Sequence, residues 1–264
     1  MAEVDFANGD NLYFGNGAVY VAELDADKAP LGERFVGNCT LADVTPEPNV
    51  IEKRNRTGSA RGVFFRKSLA TNVFLALSMD EATKENLQLE LHAGSSAATQ
   101  GAGTVTDESI GTAWEFGLWY PLDYKSLSSV VVEHVVDALD VALTVDVDYK
   151  IDLVEGRIML ISGGDGAAVE SELLKISYSY AAVTGKVQLS VGTQAVQERY
   201  LRFVGFPSNG PAYNAEFWRV AFEASGAVSL IQSGDENATW QLKGTVLDDT
   251  EHHASMPFGR VWEK

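Results

Sequence analysis

The chain has 264 residues, 45% hydrophobic and 22% charged, which is globular composition and excludes a disordered or fibrous protein. It carries 20 basic and 37 acidic residues, a net charge of −17 that repels nucleic acid at long range and speaks against a basic DNA-binding surface. Cys39 is the only cysteine, so neither an intrachain disulfide nor a cysteine-based zinc site can form.

In chain order, "MAEVDFANGDN" lacks the basic and apolar regions of a secretory signal. No apolar run reaches the roughly 20 residues of a membrane helix. The expectation is a soluble protein made in a cytoplasm, and the sequons at Asn38, Asn55 and Asn237 are read as chance. Turn signals stand at "NG" 8–9 and 16–17. Then comes "IEKRNRTGSARGVFFRKS", residues 51–68, with Lys53, Arg54, Arg56, Arg61, Arg66 and Lys67 opposed only by Glu52. Outside it 14 basic residues face 36 acidic ones, a balance of −22. Apolar Val50, Ile51, Val63, Phe64 and Phe65 flank a glycine-containing centre. The pattern predicts a long hairpin whose basic, mobile tip projects from a sheet. A solvated loop is the ordinary reading of a charge run, but the sign asymmetry points to a partner of opposite charge, and a second copy of this acidic chain is one.

Val73, Leu75, Leu77 and Met79 alternate with Asn72, Phe74, Ala76 and Ser78, the period of a strand with one buried face. "MDEATKENLQLELHAG" predicts the one helix, about residues 81–92, with Asp80 as cap, Glu81 and Glu85 near the positive end of its dipole, Ala82, Leu87 and Leu91 at helical spacing, and Gly94 as the stop. A strand through Leu87, Leu89 and Leu91 competes with it. The small, polar residues 94–112 read as a linker. A second strand-rich block follows, about 113–183, with alternation at Val141–Val147 and Leu174–Tyr180 and turns at "EG" 155–156 and "SGGDG" 162–166. "AAVTGKVQ" marks a weaker boundary. Beyond it Trp218, Val220 and Phe222 share a predicted face, as do Trp240, Leu242 and Val246, with "SG" turns at 225–226 and 233–234.

These elements predict a mainly β protein of antiparallel sandwich or barrel-like sheets with one helix. Residues 1–100 and 186–264 form a discontinuous domain, and 101–185 an inserted small β domain of Ig-like build.

For catalysis the residues offer little. There is no G-x-S-x-G elbow, no H-E-x-x-H and no P-loop. Among the histidines, His92 falls at the helix end, His134 in a valine-rich strand, and His252 and His253 in a polar stretch. Asp146 and Asp148 are expected on one strand face with Asp152 near, where paired carboxylates could hold Ca²⁺ or serve a glycosidase. Alternating Val and Asp is also what a half-exposed strand looks like. "SGGDGA" reads as a turn rather than a phosphate loop. No catalytic, metal or cofactor site is expected. Five Trp, nine Tyr and twelve Phe admit a carbohydrate-binding β-sandwich or virion adhesin as the alternative function, and a glycosidase after it.

The chain also resembles a known family, the tail tube (major tail) proteins of tailed bacteriophages. "GNGAVYVAELD" and "ERFVGNCTLADVTPEPNVIEKRNRTGSARG" look like that family's opening strands and long loop. "LATNVFLALSMDEATKENLQLELHAG" resembles its strand, single helix and following segment. "RYLRFVGFPSNGPAYNAEFWRVAFEASGAVSLI" and "ATWQLKGTVLDD" resemble its closing strands, and the middle block an extra β domain carried by some members. The resemblance implies hexameric rings that stack into a hollow tube conducting phage DNA without binding it specifically. It also implies a place in the virion tail, assembled in the bacterial host cytoplasm beside tape-measure, terminator and tip components. The long loop near 51–68, with its six basic residues, would reach the neighbouring ring, and an acidic lumen would not hold the DNA backbone.

Overall fold

The computed structural model describes residues 12–13, 15–57, 61–136, 139–162, 173–225, 228, 230–231 and 238–264. The expected turns at 8–9 and 233–234, and most of those at 162–166 and 225–226, lie outside these residues, as does the centre of the basic stretch, 58–60. Strand makes up 58% of the structure and helix 3%, so the fold is mainly β with one helix. The elements run β1 (Gly17–Leu24), β2 (Pro30–Phe35), β3 (Cys39–Arg54), β4 (Val63–Met79), α1 (Lys84–Glu90), β5 (Gly94–Gln100), β6 (Gly103–Glu108), β7 (Trp119–Pro121) and β8 (Leu127–Val136). They continue with β9 (Leu139–Ala142), β10 (Tyr149–Asp152), β11 (Arg157–Leu160), β12 (Leu174–Tyr180), β13 (Val183–Ser190), β14 (Glu198–Gly205), β15 (Tyr213–Ala224), β16 (Trp240–Val246) and β17 (Gly259–Glu263).

Two compact units result, 1–95 with 189–264, and 96–188. The inner unit is slightly wider than the expected 101–185. The residues read as a linker, 94–112, instead contain β5 and β6. Their threonines and Val105 suit a pleated surface, and they pair with β13 and β12 respectively.

The first unit is an eight-stranded antiparallel sheet in the order β2-β1-β14-β15-β16-β4-β3, with β17 beside the start of β15. Its core gathers Val19, Val21, Leu75, Leu77, Met79, Leu201, Phe217, Val220, Phe222, Trp240, Leu242 and Val246. Strand β16 alternates cleanly, with Trp240, Leu242, Gly244 and Val246 inward. Gly244 has to be glycine, because a Cβ there would stand 2.6 Å from Val220 Cγ1. Strand β15 does not alternate throughout. Opposite β14 the register jumps from Arg199↔Val220 to Leu201↔Phe217, a bulge that sets Trp218 and Arg219 against Tyr200. Phe217 and Val220 therefore both face the core, and Trp218, expected beside Val220 and Phe222, turns to the other face. There its Nε1 donates to Met256 O at 2.7 Å and His253 stacks on its ring at 3.9 Å.

Helix α1 is shorter than expected and differently capped. Thr83 Oγ1 accepts from Asn86 N at 3.2 Å, while the expected cap, Asp80, accepts from Asn38 Nδ2 at 2.7 Å. The helix ends before Gly94, with His92 in the left-handed region at φ 46. Its buried residues are Asn86, Leu89 and Glu90, not the stripe Ala82, Leu87, Leu91. Asn86 is sealed in because its Nδ2 donates to Val36 O at 2.8 Å and to Glu81 O at 3.0 Å. Glu90 is 2% exposed with Oε2 unpartnered.

The second unit packs the four-stranded sheet β6-β12-β8-β9 against the three-stranded sheet β10-β11-β7. Val132, Leu174, Ile176 and Tyr178 from one meet Tyr149, Ile158 and Leu160 from the other, around Trp114. The expected strand at 141–148 stops at Ala142. Residues beyond it turn, with Asp146 at φ 63 and Asp148 Oδ2 accepting from Thr144 N at 2.8 Å. The turn at Gly156 has φ 64, and a Cβ there would lie 1.9 Å from Tyr124 O.

Candidate assembly surface

Strands β3 and β4 pair from Cys39↔Met79 out to Arg54↔Val63, and Asn55 N closes the ladder by donating to Gly62 O at 2.9 Å. Strand β16 flanks β4 only along Val73–Met79, and β3 is an edge of the sheet. Beyond Asn72 the pair is thus a free two-stranded ribbon. Its eight residues 47–54 span about 27 Å at ~3.4 Å per residue. Among the described residues from Thr40 to Asn72, all but Val50 are exposed. We call this ribbon the arm.

The structure places all six predicted basic residues on it. Ile51↔Lys67 and Lys53↔Phe65 are cross-strand pairs, so Lys53 and Lys67 share a face with two apolar side chains. On the opposite face Glu52 stands across from Arg66 and pairs with it, Nε to Oε1 3.4 Å. Arg54 follows a register shift, and Arg56 and Arg61 flank the tip, where Asn55 Oδ1 accepts from Thr57 N at 2.9 Å. Apart from Arg66, none of the six has a carboxylate partner among the described residues. Four arginines of the sheet from which the arm projects do meet carboxylates. Arg219 pairs with Glu198 at 3.1 Å, Arg260 with Glu216 at 2.9 Å, Arg202 with Glu33 at 3.3 Å and Arg199 with Glu23 at 3.2 Å.

Sequence reasoning missed two features of the arm. One is its apolar exposure over both strands, with Val44, Ile51, Val63, Phe64, Phe65 and Leu69 all between 43% and 68% exposed. The flanking Val63-Phe64-Phe65 run carried that signal, but nothing in it separated a core strand from a bare one. The other is a pair of prolines on the edge strand, Pro46↔Val73 and Pro48↔Thr71. Proline has no N–H and fits a ladder only where that group would point away from its neighbour. Two outward donors are thereby missing from the open edge, which blunts it against strand addition.

The remaining sequence candidates are dispersed. Asp146 and Asp148 do not share a strand face. Asp152 accepts from Glu155 N, Val154 N and Arg157 Nε, bonds that hold its carboxyl below the usual range. His134 is buried, and His252 Nδ1 lies 2.9 Å from Asp249 Oδ1, which raises the pKa of the imidazole. Burial, with Asp80 and Glu81 nearby, pushes the Cys39 thiol up to about 11, far from a reactive thiolate at neutral pH. Among the described residues no group of three His, Cys, Asp or Glu is placed to hold a metal ion, and no helix is long and apolar enough to cross a membrane.

A family model described as "Protein of unknown function UCP028589" matches residues 12–261 of the chain. No curated protein matches it.

Proposed function

The chain belongs to that family of unknown function, UCP028589, and we propose that it is a structural subunit that assembles with copies of itself through the arm. The observation that carries this reading is the arm itself: an exposed ribbon bearing five cations with no carboxylate partner among the described residues and a row of bare apolar side chains, on a chain of net charge −17. A two-stranded hairpin is marginal in water on its own. Covering Phe64 or Phe65 on a partner contributes about 1.5–3 kcal/mol each. The cations choose an acidic partner and set its register, and another copy offers such a surface. The likeness of the opening and closing strands to tail tube proteins supplies the form of the assembly. Hexameric rings stack into a hollow tube that conducts DNA, and each arm reaches the next ring. No catalysis is part of this function.

Electron microscopy of the concentrated protein in negative stain tests it, the expected result being rings or tubes. Reversing Arg54, Arg56 and Arg61 to Glu should leave the circular dichroism spectrum unchanged and shorten or abolish the tubes. Each exposed pair contributes only ~0–1 kcal/mol, but the contacts repeat around a ring. High salt should weaken wild-type stacking, since charges are screened within about 3 Å at 1 M. A protein that stays monomeric at high concentration, or tubes indifferent to both charge reversal and salt, would remove the arm from assembly.

A further inference from the structure

We propose that the pocket enclosed by β1, β2, β14 and α1 is a binding site for a carboxylate group. The pocket is about 310 Å³ and is lined by Glu23, Arg34, Glu85, Gln88, Gln197 and Arg199 among others, all within the first unit. Arg34 is its centre. The guanidinium is half-buried, and Nη1 donates to Asn86 Oδ1 at 2.9 Å and to Phe35 O at 3.4 Å. Asn86 is 1% exposed, and its amide is fixed the other way round by the carbonyls of Val36 and Glu81. A wholly buried side chain therefore aims the arginine. Yet Arg34 forms no ion pair with any described residue, unlike its neighbours: Arg199 has Glu23 at 3.2 Å, and Lys84 has Glu85 at 3.4 Å.

The charges lining the pocket are two cations, Arg34 and Arg199, and two carboxylates, Glu23 and Glu85. Glu23 is paired with Arg199, and Glu85 with Lys84 outside the lining, so Arg34 is the lining cation left without a carboxylate partner among the described residues. Burial pulls the pKa of Arg34 down and Arg199 adds to that pull, with Glu85 opposing. A cation so placed gains from an incoming anion. The guanidinium fork matches the two oxygens of a planar anion, and Gln88 and Gln197 add neutral amides. A single unpartnered guanidinium suits a group that carries one charge, as each end of a dicarboxylate does, and Glu23 and Glu85 repel the two charges that a phosphate dianion concentrates on one group. The carboxylate can come from a small organic acid or from an acidic side chain of a second copy. The latter source rests on the self-assembly reading; the pocket's chemistry does not.

Isothermal titration of the full chain at low ionic strength, with glutarate as probe and inorganic phosphate as comparison, tests the site. Saturable glutarate binding is expected, tighter than phosphate and at least tenfold weaker in Arg34→Gln. Arg199→Gln, which leaves the Arg34–Asn86 bond in place, should also weaken binding and guards against a folding defect in the first variant. Sedimentation velocity separates the sources. If a second copy supplies the group, Arg34→Gln and added glutarate both shift wild-type assemblies to smaller species. If a free acid does, assembly is unchanged while titration still shows binding. The arm charge reversal should leave glutarate binding intact, so failure of assembly does not count against the pocket. No glutarate binding by wild type together with self-association indifferent to Arg34→Gln overturns the proposal, as does equal binding by a folded Arg34→Gln variant.

Discussion

Burial holds the Glu90 carboxyl above the usual carboxylate range, against only a hydrogen bond from Gln241 N, and one of its oxygens has no partner. A carboxyl whose folded pKa is raised favours the folded state only while protonated. Its contribution is intact below the unfolded pKa and is lost as pH climbs through the folded one. Glu90→Gln should therefore raise Tm at pH 7 and leave it nearly unchanged near pH 4, read by calorimetry across that range. An equal shift at both pH values would tie the effect to packing rather than charge. Trp240 is the opposite case, apolar, 7% exposed and paired across the ladder with Met79. Trp240→Ala should cost about 3–5 kcal/mol in urea unfolding. Its place was legible because β16 alternates without interruption. That of Trp218 was not, since a bulge carries no fixed residue signature and shifts every later side chain by one place. Asp146 and Asp148 misled for a related reason. Period two is written equally well by a strand and by a turn whose acids satisfy backbone N–H groups.

At the scale of elements, the helix and the arm were both legible in kind and missed in detail. The helix was recognisable from its acidic start and its leucines, although the cap is Thr83 and not Asp80. Its inward face was not, because Asn86 and Glu90 are polar: the carbonyls of Val36 and Glu81 and the Arg34 guanidinium make the burial of Asn86 workable, and Glu90 has only Gln241 N. The same polar burial hid the pocket, which depends on which amide a lone arginine meets across 52 residues of chain. The arm was announced by its charge. Its full length was not, because residues 41–49 carry no strict alternation, while the ladder shows them paired throughout with β4. The two prolines on the open edge decide how the arm binds. With donors missing at positions 46 and 48, side chains rather than an added strand carry recognition along that stretch.

At the scale of the whole chain, composition and period two sufficed for a mainly β protein, and a shift in composition marked a middle block. The block's limits were blurred because its flanks are small polar residues that pair as strands here. Each unit has its own core, Trp240 and Phe222 in one and Trp114 and Ile158 in the other. Replacing 96–188 by a short Gly/Ser bridge should thus leave a first unit that unfolds cooperatively, and 96–188 expressed alone should fold as well. Circular dichroism melts of the two polypeptides provide the check. A non-cooperative melt of either would mean that the two cores depend on each other.

The detour through 96–188 also sets a timetable for synthesis. Strand β1 is complete at residue 24, but its ladder partner β14 begins at residue 198, more than 170 residues later. At ~5–20 residues per second, the ribosome needs roughly 10–35 s to supply it. The hairpin's base, complete at Met79, waits nearly as long for β16 at residues 240–246. During that interval the second unit, contiguous in sequence, can fold on the nascent chain, while β1, β3 and β4 have no sheet to join. The prolines and like charges of the arm then act before any folded subunit exists. An edge short of donors and a tip of like charges both disfavour strand pairing between neighbouring nascent chains.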